Sequence, residues 1–233
     1  MNRRDGLLAA IGVSVVACSP PAWAQADAAP PATAGELNPL GQERFQIARI
    51  VVDRRARSFT VPGRVLALGK PLEYLATTPG GMKAYESLVE LDTTGSEFNL
   101  ACILIGLERD PGPWRRSGPG PLVGPRVATS LAWTDGTTRR RVSAAEALLN
   151  PEAGVNPESV EWVYTGAPAS DGQARFAADV TGTLIGFVPD PNCVIQSSFG
   201  IGLGAYGSVH GHAMLPRAGS TIDLIVEVAD AAK

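Results

Sequence analysis

The sequence predicts a β-rich α+β fold: a largely antiparallel sheet or sandwich with about two short helices, one of them packed in the core. Three observations support this class. Roughly nine runs of β-branched and aromatic residues recur at hairpin-like spacing. Turns rich in glycine and proline separate them. Two Ser/Thr-x-x-Glu patterns mark helix starts. With 45% apolar residues among 233, the chain is long enough for one core, and we expect a single domain.

The first 24 residues have the features of an export signal peptide. Arg3 and Arg4 give a positive start, residues 7–17 are apolar, and residues 22–24 (AWA) form a small-x-small cleavage site. The apolar run is too short to cross a bilayer as a helix, so we expect no transmembrane span. Residues 25–39 are rich in alanine and proline and should be a disordered spacer before a domain at 40–230.

Two features of this leader leave the export route and the anchoring open. The Arg3-Arg4 pair is similar to a twin-arginine signal, which exports folded cargo, but general secretory signals also carry adjacent arginines. Residues 15–18 (VVAC) resemble a lipoprotein cleavage box that would place a lipid anchor on Cys18. The well-formed site ending at Ala24 favours release. We therefore expect a periplasmic or secreted protein, with membrane tethering as the alternative.

The first half of the domain is built around residues 72–106. Before it, residues 45–52 and 58–65 predict two strands of a hairpin. Residues 72–77 predict a strand, residues 78–81 (TPGG) a turn, and residues 85–92 a second strand, so a second hairpin is expected. Thr94 and Glu97 form a capping box that opens a short apolar helix. This helix should plug the core against the hairpin.

The second half continues the β pattern. Nine of the fifteen residues from 111 to 125 are proline or glycine. Trp114 within this loop either meets a ligand or partner, or folds back to pin the loop. Residues 127–134 and 139–142 predict a hairpin through Asp135-Gly136. Ser143 and Glu146 form a second capping box, which predicts a helix through residue 149. Further strands are predicted at residues 160–166, 175–180, 183–188, 194–196 and 221–228.

Composition and motifs argue against several functions. There are 20 basic and 23 acidic side chains, which gives no basic excess for nucleic acid. The chain has no G-x-S-x-G elbow, so catalysis stays uncertain, with the balance towards none. Residues 202–207 match G-x-G-x-x-G, but no βαβ unit surrounds them, and a glycine-rich surface loop is the better interpretation. No cofactor is predicted, except that a divalent metal remains an alternative.

The histidines and carboxylates are the remaining chemical candidates. His210 and His212 lie two residues apart, so on an extended chain both rings point the same way, and Asp190 or Cys193 would supply a third metal ligand. They are otherwise polar loop residues. Glu86, Glu90 and Asp92 would share one strand face, either around a substrate or simply in solvent. Cys102 and Cys193 either form a disulfide or stay as buried thiols.

Several short motifs together resemble the YdjY-domain family across residues 45–228. They are Val52-Asp53, Leu72-Glu73-Tyr74, Tyr85-Glu86-Ser87-Leu88, residues 101–107 (ACILIGL), Trp133-x-Asp135-Gly136, residues 162–166 (WVYTG) and Phe176-x-Ala178-Asp179-x-x-Gly182. The resemblance implies an exported or envelope-associated bacterial domain with no settled activity. Some relatives carry an iron–sulfur label, for which this chain lacks the cysteines. The ligand-binding candidates are the polar members of these motifs and the loop tryptophan: Glu73, Tyr85, Glu86, Asp179 and Trp114.

These features favour a non-catalytic binding or interaction module of the cell envelope. Its partner would be an envelope protein or a small ligand. The alternative is a metal-binding protein or metal-dependent enzyme that uses His210 and His212.

Overall fold

The computed structural model describes residues 35–108, 121–150, 160–167, 175–188, 190–198 and 209–229. Several sequence predictions lie outside these residues: the signal peptide, the spacer as far as residue 34, Trp114 and the glycine motif at 202–207.

The described residues contain fourteen strands, two α-helices and one 3-10 turn. The strands are β1 (Leu37–Gly41), β2 (Arg44–Ile47), β3 (Ile50–Asp53), β4 (Ser58–Val65), β5 (Tyr74–Thr77), β6 (Ser87–Leu91), β7 (Arg126–Asp135), β8 (Thr138–Ser143), β9 (Leu148–Leu149), β10 (Trp162–Tyr164), β11 (Thr183–Gly186), β12 (Ile195–Ser197), β13 (His210–Gly211) and β14 (Thr221–Val228). The helices are α1 (Gly95–Leu104) and α2 (Ala177–Thr181), and the 3-10 turn is Ala84–Glu86.

Eight of the strands close into a β-barrel. The order around the ring is β4, β14, β7, β10, β12, β11, β5 and β6, and β6 pairs back onto β4. Gly63 permits this closure, because a Cβ there would overlap the carbonyl oxygen of Glu90 on β6. Strands β1, β2, β3 and β8 lie outside the ring, and β9 and β13 form a separate two-stranded ladder.

The predicted antiparallel sheet or sandwich is therefore wrong, because the sheet is closed. Each strand of the ring has a neighbour on both sides, which removes the free edges that a sandwich would have. Two neighbouring pairs in the ring are also parallel, β5 with β6 and β11 with β12.

The predicted hairpin of residues 72–92 is also wrong, because β5 and β6 run parallel. Tyr74 pairs with Ser87, and Ala76 pairs with Val89. The connection 78–86 returns to the start of β5 instead of reversing the chain. The amide of Thr78 donates to Gly182 O, and that of Met82 donates to Thr181 O. Backbone contacts with the end of α2 thus hold this crossover in place.

The capping box at Thr94 is confirmed, and it begins α1. The Thr94 hydroxyl accepts from the Glu97 amide, and the Glu97 carboxylate accepts from the Thr94 amide. Phe98 is fully buried and meets Phe59 edge-to-face, with 5.2 Å between ring centroids. Ile103 on the opposite side is half exposed. The helix thus packs one face onto the core and leaves the other in solvent.

Other strand predictions had mixed outcomes. The strand at 58–65, the hairpin of β7 and β8 and the last strand at 221–228 are confirmed. Residues 45–52 form two strands, because the chain turns at Ala48, where φ is +47°. Residues 177–181 form α2 and not a strand. Ser143 and Glu146 make the reciprocal bonds of a capping box, but the chain continues as a turn into β9.

Candidate functional site

Lys83 lies at the centre of a cluster of polar and aromatic side chains on the crossover 78–86. Its Nζ is 2.5 Å from Glu86 Oε1 and 3.4 Å from the Tyr85 hydroxyl. The same ammonium is 5.9 Å from the ring centroid of Tyr74 and 5.6 Å from that of Tyr85. With the nearby Glu73, these residues form the group that we call the Lys83 cluster. Two aromatic rings and a carboxylate thus hold one cation at the surface.

The charges of the Lys83 cluster act on one another. The hydrogen bond to Glu86 raises the pKa of Lys83 above its ordinary value, which keeps the ammonium charged. Burial, and secondly the negative charge of Glu86, raise the pKa of Glu73, while Lys83 partly opposes this shift. Two of the predicted ligand-binding residues, Glu73 and Glu86, therefore lie within electrostatic reach of each other.

An exposed apolar surface adjoins the Lys83 cluster. Met82 and Tyr85 are 67% and 62% exposed. The Met82 amide donates to Thr181 O, which places Met82 beside the end of α2, where Val180 is 44% exposed. We call Met82, Tyr85 and Val180 the Met82 surface. Apolar side chains left in solvent beside charged groups are typical of contact sites for other molecules.

Asp190 and Cys193 belong to a more buried group, which Tyr74 joins to the Lys83 cluster. The Tyr74 hydroxyl donates to Asp190 Oδ2 at 3.1 Å, and Cys193 Sγ lies 3.8 Å from the same oxygen. Asp190 Oδ1 accepts from the amide and side chain of Asn192. Burial, and secondly the charge of Asp190, raise the pKa of the Cys193 thiol. A protonated thiol is a poor nucleophile. The hydrogen bonds from Asn192 to Asp190 hold the turn before β12.

Asp179 supports the fold. Its carboxylate accepts hydrogen bonds from the Ser96 amide at 2.8 Å and from the Ser96 hydroxyl, so it caps the N-terminus of α1 from α2. The two helices touch closely there, because a Cβ on Gly95 would lie 2.7 Å from Ala178. Both oxygens of this ligand-binding candidate are therefore engaged within the protein.

The predicted metal ligands do not meet. His210 lies on β13, which pairs with β9. Among the described residues there is no group of three or more His, Cys, Asp and Glu side chains that could hold a metal ion. Asp190 and Cys193 therefore do not complete a site with His210 and His212. Neither of these two residues supplies the third ligand that the sequence suggested.

The remaining candidates are the two cysteines and the carboxylates at positions 86, 90 and 92. Cys102 and Cys193 are buried free thiols. Glu90 is buried against Arg64, with 2.7 Å between the charged atoms, and Asp92 is 3.3 Å from Arg49. The expectation of one shared carboxylate face is wrong, because Glu86 leaves the strand for the 3-10 turn and every strand residue of β6 is buried.

Sequence reasoning missed Met82, Lys83 and Val180. The sequence pattern predicts a strand through Val180 and gives Met82 and Lys83 no role beside the predicted turn. The available signal is a methionine and a lysine that directly follow Gly80-Gly81 and precede Tyr85 by three and two residues.

No protein-family model, curated protein or solved structure matches this chain. The fold and the site define it as a small β-barrel protein with an exposed apolar surface beside a charged cluster. In the part of the chain that the structure describes, no helix is both long enough and apolar enough to cross a membrane.

Proposed function

We propose that this protein is an exported, non-catalytic interaction module of the cell envelope, and that the Met82 surface binds a protein partner. The observation that carries this proposal is the exposure of Met82 and Tyr85 on a connection tied to the barrel. A backbone that is already held in place loses less conformational entropy on binding than a flexible one. The partner class is a protein because methionine and aromatic side chains beside a charged rim are typical of protein interfaces.

The Lys83 cluster supplies the rim of this contact. Lys83 and Glu86 are partly exposed, so a partner could approach both charges. Rim charges of this kind govern association rate and partner choice more than affinity. Glu73 adds a second carboxylate with a raised pKa. The proposed roles of Glu73, Tyr85 and Glu86 are therefore in recognition.

Site-specific photo-crosslinking in cells tests this function. A benzophenone amino acid at position 82 or 85 should give a discrete crosslinked product in the envelope fraction. The matched control is position 214, because Met214 is also exposed, at 46%, but lies in the turn after β13. Equal crosslinking from positions 82 and 214, or none from 82 and 85, would contradict the proposed surface.

Export is tested separately. We expect the mature chain in the periplasmic or secreted fraction, with its N-terminus at Gln25 by mass spectrometry. Metabolic labelling with a fatty acid that disappears in a Cys18→Ala variant would instead support the lipid-anchored alternative. A chain that stays in the cytoplasm with residues 1–24 intact would refute export.

A further inference from the structure

His210 of β13 and His212, the residue directly after the strand, flank Gly211. Gly211 between them pairs with Leu148, which is fully buried. A Cβ on Gly211 would point at the core, 2.6 Å from Leu88 Cδ1 and 3.1 Å from Leu68. Because side chains alternate along an extended chain, His210 and His212 point the opposite way, about 6.6 Å apart at their Cα atoms. Both are partly exposed.

Backbone bonds fix this segment and bring a methionine beside it. His210 pairs with Leu149, and the His212 amide donates to Ala147 O at 2.8 Å. The chain then turns, since the Leu215 amide donates to His212 O at 3.1 Å. The Met214 amide donates to His212 Nδ1 at 3.0 Å, so the imidazole lies against the turn that carries Met214. The Met214 side chain is 46% exposed.

We propose that His210, His212 and Met214 form a binding site for copper(I). Imidazole nitrogens bind several transition metals, but a neutral thioether is a soft ligand that selects monovalent copper over zinc. Met214 therefore takes the place of the third ligand that Asp190 and Cys193 do not provide. This inference goes beyond the proposed interaction surface and uses none of its residues.

Metal binding has a defined consequence for the turn. Coordination through His212 Nε2 requires the remaining ring proton to lie on Nδ1, where it excludes the hydrogen bond from the Met214 amide. The loss of this one hydrogen bond is small beside the free energy of metal coordination. No electron is transferred, because copper enters and stays as copper(I).

Anaerobic copper(I) titration against bicinchoninate tests the site. The protein should carry no polyhistidine tag, because its only two histidines are the proposed ligands. We expect one equivalent bound, and a loss of affinity of roughly tenfold or more in each of the variants His210→Ala, His212→Ala and Met214→Ala. Ile103→Ala on α1 is the control, since it removes an exposed apolar side chain far along the chain from the histidines and should leave affinity unchanged.

The thioether has its own readout. The full chain has three methionines, Met1, Met82 and Met214, so carbon-13 methyl labelling gives at most three methionine signals. Copper(I) is diamagnetic, and only the Met214 signal should shift. Met214→Ala should leave zinc(II) affinity unchanged while it weakens copper(I). An unshifted Met214 signal, zinc(II) binding tighter than copper(I), or no binding against bicinchoninate would overturn the proposal.

Discussion

Replacing Thr129 by valine should stabilise the protein. Thr129 lies on β7 opposite Val226 of β14, is only 4% exposed, and its hydroxyl has no hydrogen-bond partner among the described residues. A buried hydroxyl without a partner costs about 1–3 kcal/mol, and valine has nearly the same shape. We expect the free energy of unfolding of Thr129→Val to rise by about 1 kcal/mol, and its melting temperature by about 2–4 °C. Urea and thermal denaturation of the mature protein measure both.

Thr165 provides the matched control. It is also 4% exposed, but its hydroxyl donates to Cys193 O at 2.9 Å and Val194 O at 3.1 Å. The same change to valine there should lower the free energy of unfolding by about 1–2 kcal/mol. Equal losses at both positions would refute the reasoning, because they would mean that a trapped water satisfies the Thr129 hydroxyl.

Three further changes test other parts of the molecule. Gly63→Ala should destabilise the protein by about 3 kcal/mol in urea denaturation, because the new Cβ would overlap the Glu90 backbone where the barrel closes. A variant as stable as wild type would contradict this. Asp179→Ala should cost about 1 kcal/mol by uncapping α1, with the amide of Ser96 exchanging faster by NMR; unchanged exchange would argue against the cap. Glu73→Gln should become more stable than wild type as pH rises, because a raised folded-state pKa means that folding disfavours the ionised carboxylate. The stabilities of wild type and Glu73→Gln should become equal below the ordinary pKa of 4.5. A gain in stability that appears only at low pH would contradict a raised pKa of Glu73.

Features set by neighbouring residues could be predicted from the sequence. The α1 capping box needs only Thr94 and Glu97, and the turn between β7 and β8 needs only the Asp135-Gly136 signal. The alternation in β14 marks a strand wherever it is placed. Glu73, Tyr85 and Glu86 could be predicted as ligand-binding candidates because they are polar residues within short sequence motifs. The sequence alone did not indicate that Lys83 lies between the rings of Tyr74 and Tyr85.

The tertiary structure decided what each element pairs with. The Pro-Gly-Gly turn suits a hairpin locally, but contacts from Thr78 and Met82 to the end of α2 send the chain back so that β6 lies parallel to β5. Residues 177–181 have no strong helix signal, yet as a helix they place Asp179 on the N-terminus of α1. Barrel closure depends on the pairing of β4 with β6, which can approach each other closely because Gly63 has no Cβ. Local propensities act over a few residues, whereas the partner and direction of each strand and the closure of the barrel depend on how all the strands pair and bury their core-facing residues at once.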